Sequence, residues 1–523
     1  MHPKKSENGE IRHARNYHEA TKHSEISVRT SAHYLDWENR PAPFKTYADL
    51  PKTPLPRKFS LPDTDAPASI GGNNPVLTAT KFGIEELAEL LFFTGGITRK
   101  LRVGGEFHYM RAASATGALY PIELYVVTGD LPGLEAGVYH FDPLNFSLSK
   151  IRSGDYRQTL ASVSDESVLA APATLVFTSL AWKNAWKYQA RSYRHWYWDA
   201  GVMTANFLAT SNAMSVRTKL VTGFIDDEVN LLIAMEKNKE ATVALAPVAI
   251  GNRTIRENAP TTIQSLHPNV RPLSPGETEY PEIWRMHHAS SLQNRDELVS
   301  WIRNKPKKPQ PIRVVGQLFP LASSDQTDGR TLSQVILQRG SARRFAREPV
   351  TFSQLSLILK TSMTPMQVDY SDGRVLVDAY FIANLVAGIP SGSYVYRAEQ
   401  DSVEQLQPTK EDSRRASAYL ALEQPLFGDA SIVFFLMADL EEFLWKLGNR
   451  GYRAAQLEGG IIGGRIYLSS YALGLGASGS TFYDDAVTEF FSPHAKGKST
   501  MIVVAVGVPA YKAKSGRILP QFS

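Results

Sequence analysis

The stretch Trp186-Lys187-Tyr188-Gln189-Ala190-Arg191-Ser192-Tyr193-Arg194 returns 259 residues later as Trp445-Lys446-Leu447-Gly448-Asn449-Arg450-Gly451-Tyr452-Arg453, with five of nine residues identical. A match of that length at one fixed offset marks an internal duplication. The same offset lays Asp199-Ala200-Gly201 over Glu458-Gly459-Gly460, and with a short slip Phe224-Ile225-Asp226-Asp227 over Phe482-Tyr483-Asp484-Asp485 and Val248-Ala249-Ile250-Gly251 over Val504-Ala505-Val506-Gly507. Upstream, Leu87, Leu90 and Leu91 lie over Leu355, Ile358 and Leu359.

Each half reads as helix, strand, long helix, strand. The helices span Ile84 to Phe93 and Phe352 to Lys360, and the β-branched and aromatic runs are Leu124 to Val127 and Ile432 to Met437. This order predicts an α/β or α+β layered domain, and we expect α+β. We expect an N-terminal arm over 1–60, a first domain over 61–255, a Pro-rich connector over 256–330 and a second domain over 331–523. Two like halves on one chain pack most simply as the subunits of an ancestral homodimer, an intramolecular pseudo-dimer, and such a unit can itself pair again. Chemistry is then sought where the halves meet.

Composition narrows what that chemistry can be. The chain has 523 residues, 43% hydrophobic and 21% charged, enough apolar surface for large cores. A net charge of +5 on this length is too weak a field to indicate nucleic acid. Lys305-Pro306-Lys307-Lys308-Pro309-Gln310-Pro311 reads as a solvated linker. The absence of cysteine removes disulfides, thiolate metal sites, iron–sulfur clusters and a thiol nucleophile together. Twelve histidines without a helical His-x-x-x-His pattern predict no metal. Met1 to Ile26 is polar, and the longest apolar run, Met501 to Val508, is far below a membrane span. The expectation is a cytoplasmic protein without membrane or nucleic-acid partners, whose redox chemistry, if any, is a cofactor's.

Two segments carry the chemical signal. Arg339-Gly340-Ser341-Ala342-Arg343-Arg344 places guanidinium forks and a hydroxyl together, the donors a phosphate monoester needs, although an Arg-rich turn before a helix also makes an ordinary solvated loop. Arg111-Ala112-Ala113-Ser114-Ala115-Thr116-Gly117-Ala118-Leu119-Tyr120-Pro121 has small residues on which a flat ring can lie, with Ser114 and Thr116 as donors, or it is a plain turn before a strand. Each segment occurs in one half only. Complementary losses of this kind leave one composite site, taking phosphate ligands from the second half and ring contacts from the first. His195 is expected on a helix surface or interface, and Asp226-Asp227 and Asp484-Asp485 as caps of the helices that follow.

Together with Tyr17-His18-Glu19-Ala20-Thr21-Lys22, Leu35-Asp36-Trp37 and Pro43-Phe44-Lys45-x-Tyr47, these segments resemble the flavin-dependent nitroreductase superfamily, and within it the SagB/ThcOx-type dehydrogenases that include azoline oxidases. Ala113 stands where that branch has Pro, and Gly340 where the superfamily motif has a second Arg. The resemblance implies FMN between the halves. Arg339, Ser341 and Arg343 would hold its phosphate and ribityl chain, with Ala113, Ser114, Ala115 and Thr116 from the opposite half. Gly479, Ser480 and Thr481 would lie near flavin N5, and Lys512, Lys514 or Arg517 would add a late cation. Val221-Thr222-Gly223-Phe224 would serve a decayed counterpart. The resemblance also implies Lys187 and Tyr188 as the proton-handling pair, with either a buried or cation-flanked Tyr188 or a desolvated Lys187 shifted toward neutrality as the base. It implies a modified-peptide or small-molecule substrate, oxygen as acceptor and a cyclodehydratase partner. An NAD(P)H-dependent reductase of nitroaromatics or quinones and a scaffold without flavin are the alternatives.

Overall fold

The computed structural model describes residues 7–59, 64–72, 82–251, 262–307, 313–323, 329–408 and 412–511. The apolar runs Ile122–Thr128, Ala173–Leu180 and Glu240–Val248 are buried at every residue, so both of their alternating faces are covered. They form one side of an antiparallel six-stranded sheet ordered Lys52–Pro54, Ser147–Ser153, Gly137–Asp142, Ile122–Thr128, Ala173–Leu180, Glu240–Val248. The second half repeats that order with Leu318–Pro320, Ser402–Pro408, Gly392–Arg397, Asp378–Ala383, Ile432–Ala438 and Ser499–Pro509. Phe345–Ala346 and Gly476–Ser480 then add to Ser499–Pro509.

Position in the sheets corrects one sequence pairing. Ile122–Thr128 answers to Asp378–Ala383, and Ile432–Ala438 answers to Ala173–Leu180. Each sheet has two adjacent central strands of the same apolar character, so composition could not tell which was which. The short strands Lys52–Pro54, within the arm segment, and Leu318–Pro320, within the connector segment, sit at equivalent sheet edges.

Helices Ser192–Ala213 and Arg450–Ala472 are buried along nearly their whole length and cross each other. A Cβ on Gly201 would lie 2.6 Å from the Gly460 Cα, and one on Gly460 would lie 2.7 Å from the Trp198 carbonyl oxygen. Only glycine permits so close a crossing. Gly201 and Gly460 are the same position under the 259-residue offset, so each meets its own copy.

Reciprocal ion pairs flank the crossing. Arg191 and Arg194 bind Asp484 at 2.9 and 2.6 Å, and Arg450 and Arg453 bind Asp226 at 2.5 and 2.6 Å. These aspartates open the helices Asp226–Leu232 and Asp484–Phe490, but Ile225 and Tyr483 are the N-caps and no side chain caps either helix. The capping expectation is therefore replaced: a buried guanidinium pair requires a buried counter-charge, and the aspartates supply it from the other half. Burial pushes the Asp226 carboxyl up, but Arg450 and Arg453 outweigh it and hold it at about 2.

Helix Arg12–Ala20 and helix Pro281–Ala289 complete these clusters in the same way. Arg194 donates to the Thr21 hydroxyl and the His18 carbonyl, and Arg453 donates to the Ser290 hydroxyl and the His287 carbonyl. A stretch of the connector segment thus does for the second long helix what the arm does for the first.

Candidate functional site

Hairpin Ile97–Val103/Glu106–Arg111 delivers the chain into the small-residue turn. Ala112 and Ala113 are buried, and Ser114, Ala115 and Thr116 are half-buried. The turn is fastened to the first long helix by Asp199, whose Oδ1 accepts the Thr116 N–H at 2.8 Å and the Thr116 hydroxyl at 2.7 Å. Asn184 donates to Oδ2 at 3.1 Å. Burial raises the Asp199 carboxyl to about 6 even though these hydrogen bonds pull it down. The Thr116 hydroxyl proton is thus directed at Asp199 rather than at a ring. One turn before Lys187, the buried Lys183 ammonium donates to the Tyr120 and Pro43 carbonyls at 3.1 and 2.9 Å and pairs with Glu123, fixing the far end of the turn.

The Arg339 to Arg343 loop reaches this turn directly. Arg339 is buried, and its fork donates to the carbonyls of Ala112 and Arg111, both at 2.9 Å. It acts as a strut between the halves, with only part of its fork left for a phosphate. On its other side the loop is tied to the strand Gly476–Ser480, because the Ala342 N–H donates to the Ala477 carbonyl at 2.9 Å. Ser341 is half-buried and Arg343 exposed. The Arg343 N–H donates to the Tyr511 hydroxyl at 3.1 Å, where the described chain ends. Lys512, Lys514 and Arg517 lie outside the described residues. In the third segment, Gly479 donates to the Tyr467 hydroxyl at 2.5 Å, Gln424 donates to the Ser480 hydroxyl at 2.6 Å, and the Thr481 hydroxyl is buried without a hydrogen-bond partner.

Lys187 and Tyr188 end the helix Ala181–Tyr188 rather than open one, because Gln189 takes a left-handed φ of +49°, as Gly448 does at +67° in the other copy. The Tyr188 hydroxyl lies 2.7 Å, and the Lys187 Cδ 3.5 Å, from where a Cβ on Gly117 would be. The pair therefore packs on the small-residue turn. Burial, and then the Asp199 carboxylate, push the Tyr188 phenol well above its ordinary value. The expectation of a Tyr188 shifted toward neutrality is reversed: desolvation acts here without a cation strong enough to oppose it. His195 is buried, not at the surface. Its ring stacks on Trp198 at 4.6 Å and meets Tyr188 edge-on at 4.4 Å, and Trp198 continues to Phe482 in the second half at 6.1 Å.

The equivalent place on the other side is filled. Asp369 accepts the Thr222 N–H, the Thr222 hydroxyl and the Gly223 N–H at 2.8, 2.7 and 2.6 Å. Trp301 packs so tightly there that a Cβ on Gly223 would lie 2.3 Å from its ring. Leu220 and Gln367–Asp369 also exchange backbone hydrogen bonds, closing the gap with main chain.

Sequence reasoning did not single out Asp199, Asp369 or Trp301. Asp199 had a visible signal, a carboxylate inside an apolar helix aligned with Glu458, which in turn accepts the Leu376 and Val377 N–H groups. Asp369 and Trp301 lie in segments without a counterpart motif. Among the described residues no group of His, Asp and Glu is arranged for a metal, and no helix is long and apolar enough to cross a membrane.

Residues 336–508, within the second half, match the Nitroreductase family. A nitroreductase-like protein of Methanocaldococcus jannaschii is 26% identical over 167 residues, 32% of this chain and 79% of that protein. A crystal structure of a nitroreductase-like protein from Anabaena variabilis superposes with a TM-score of 0.76 at 25% identity, covering 95% of this chain and 99% of that one. That superposition runs through both halves.

Proposed function

We infer that the chain is an FMN-dependent oxidoreductase, an intramolecular pseudo-dimer of two nitroreductase-like domains with one working site between them. The observation that carries this reading is the contrast between the two equivalent loops. On one side the Thr222 and Gly223 donors are consumed by Asp369, and on the other the Thr481 hydroxyl is buried without a partner. An orphaned buried hydroxyl costs about 1–3 kcal/mol, and a ligand atom seated at this loop would offset that cost.

The residues present fit FMN. Ser341 and Arg343 would hold the phosphate, Arg339 would hold the two halves at the right separation, and the turn Ala113–Thr116 with Gly479–Thr481 would face the ring. When bound, FMN supplies hydride exchange, and the chain's task is to orient the partners and manage protons. Asp199 fixes the turn against which substrate would lie. Tyr188, held protonated, donates a hydrogen bond, and Lys187 beside it is the residue placed to handle the proton that leaves the substrate carbon. Trp186, the residue before this pair, meets Trp37 edge-on at 5.3 Å.

Within this class we favour oxidation of azoline rings in a modified peptide, with oxygen as acceptor and a cyclodehydratase acting upstream. A second reading, an NAD(P)H-dependent reductase of nitroaromatics or quinones, is favoured by the raised Tyr188 phenol, because that reaction needs no tyrosinate base. Two measurements decide. Flavin released from purified, FMN-saturated protein should approach one per chain, and two per chain would sink the single-site reading. Tyr188→Phe should abolish azoline oxidation while sparing nitroaromatic reduction. Equal loss of both would remove Tyr188 from proton handling.

A further inference from the structure

Position 340 is an open place beside a cation from the other half of the chain. A Cβ built on Gly340 would meet the Tyr471 hydroxyl at 3.6 Å and the Arg99 Nη1 at 4.0 Å, which is ordinary contact distance. Arg99 comes from the other half of the chain. It sits on the strand Ile97–Val103, opposite Met110, on the hairpin whose last residues carry the carbonyls that receive the Arg339 fork. Arg111, at the base of that hairpin, is locked by donating to the Gly95 and Ile122 carbonyls at 2.6 and 3.0 Å. The strand that bears Arg99 is therefore fixed against the Arg339–Arg343 loop. Arg99 is half-buried, and among the described residues no carboxylate pairs with it, with Arg339 or with Arg343. A guanidinium held beside the Arg339–Arg343 loop without an acid leaves positive charge there that an anion would neutralise.

We propose that Arg99 is a phosphate-binding residue of the flavin site, supplied by the first half to the loop of the second, with Ser341 and Arg343 as its partners on the same phosphate monoester. This rests on the flavin reading above and adds that the anion is held from both halves. The Arg99 fork makes charge-assisted hydrogen bonds that riboflavin, which lacks the phosphate, cannot receive.

The test compares FMN and riboflavin binding, by quenching of flavin fluorescence, in the full-length wild type, Arg99→Ala, Arg99→Gln and the double variant Arg99→Ala/Gly340→Arg. Arg99→Ala and Arg99→Gln should each weaken FMN about ten- to a hundredfold and leave riboflavin affinity unchanged. Gly340→Arg should restore much of the loss, because its side chain starts beside the vacated guanidinium and meets no close contact. FMN affinity unchanged in Arg99→Ala would overturn the assignment while the flavin site stands. Equal loss of FMN and riboflavin would also overturn it, by showing that Arg99 only shapes the fold. A wild type that binds neither flavin would remove the site itself, and the proposal with it.

Discussion

Loops Val221–Phe224 and Gly479–Phe482 occupy equivalent places, follow equivalent long helices and lead into helices opened by equivalent aspartates, yet one is sealed and the other is not. The frame around them is the same on both sides. What differs is the segment that arrives from across the junction. Gln367–Asp369 brings a carboxylate and backbone that engage the Thr222 and Gly223 donors of the first loop, while the turn at Ala113–Thr116 is fastened to Asp199 of its own half and strutted by Arg339 of the other. Closing a site therefore required no change in the sheets or the crossing helices.

The comparison predicts that the frame is equally indispensable on both sides. Arg194→Ala and Arg453→Ala should each cost about 3–5 kcal/mol, since each leaves a buried aspartate short of its partner. Urea unfolding measures this, and a difference between the two variants greater than the error would show that the halves are not held alike. The acid limb follows from Asp226. Its carboxyl is lowered to about 2, so its stabilisation is complete above the unfolded value near 4 and is lost as pH falls from there toward 2.

Asp199 on the open side acts in the opposite direction, as does Asp369 on the closed side, whose carboxyl burial also raises. The Asp199 carboxyl is raised to about 6, so the folded state holds a proton there that the unfolded chain releases near pH 4. Stability should fall by roughly 2–3 kcal/mol as pH rises from 4 to 6 and stay level above that. Asp199→Asn should reduce this slope, leaving what Asp369 contributes. A slope that the substitution leaves unchanged assigns the proton elsewhere.

The smallest effect separates the loops themselves. Thr222→Val removes a hydroxyl that has a partner and should cost about 1 kcal/mol, leaving Asp369 a donor short. Thr481→Val removes an orphan and should be neutral or slightly stabilising without flavin, while weakening flavin binding. Equal destabilisation by both substitutions would contradict the contrast on which the single site rests.

Sequence reading reached the parts of this arrangement that side-chain chemistry repeats. Trp186–Arg194 and Trp445–Arg453 revealed the duplication, and the small-residue and Arg-rich segments lie where the halves join. The match between Tyr17–Thr21 and Met286–Ser290 escaped notice because those helices act largely through backbone carbonyls, which any residue carries. Asp226 and Asp484 read as caps because their partners are more than 220 residues away. The upward shift of Tyr188 is a property of burial, which a Lys-Tyr pair in sequence does not reveal.

The reciprocal arginine–aspartate pairs also set a schedule for the newborn chain. Asp226 leaves the ribosome 224 residues ahead of Arg450, which is about 10–45 s at ordinary rates of synthesis. Throughout that interval the first half has no arginine for its central acid, so its core is sealed only when the second long helix arrives. Completion of the junction is thereby a late event, and a chain truncated before residue 450 lacks the partners of its buried Asp226.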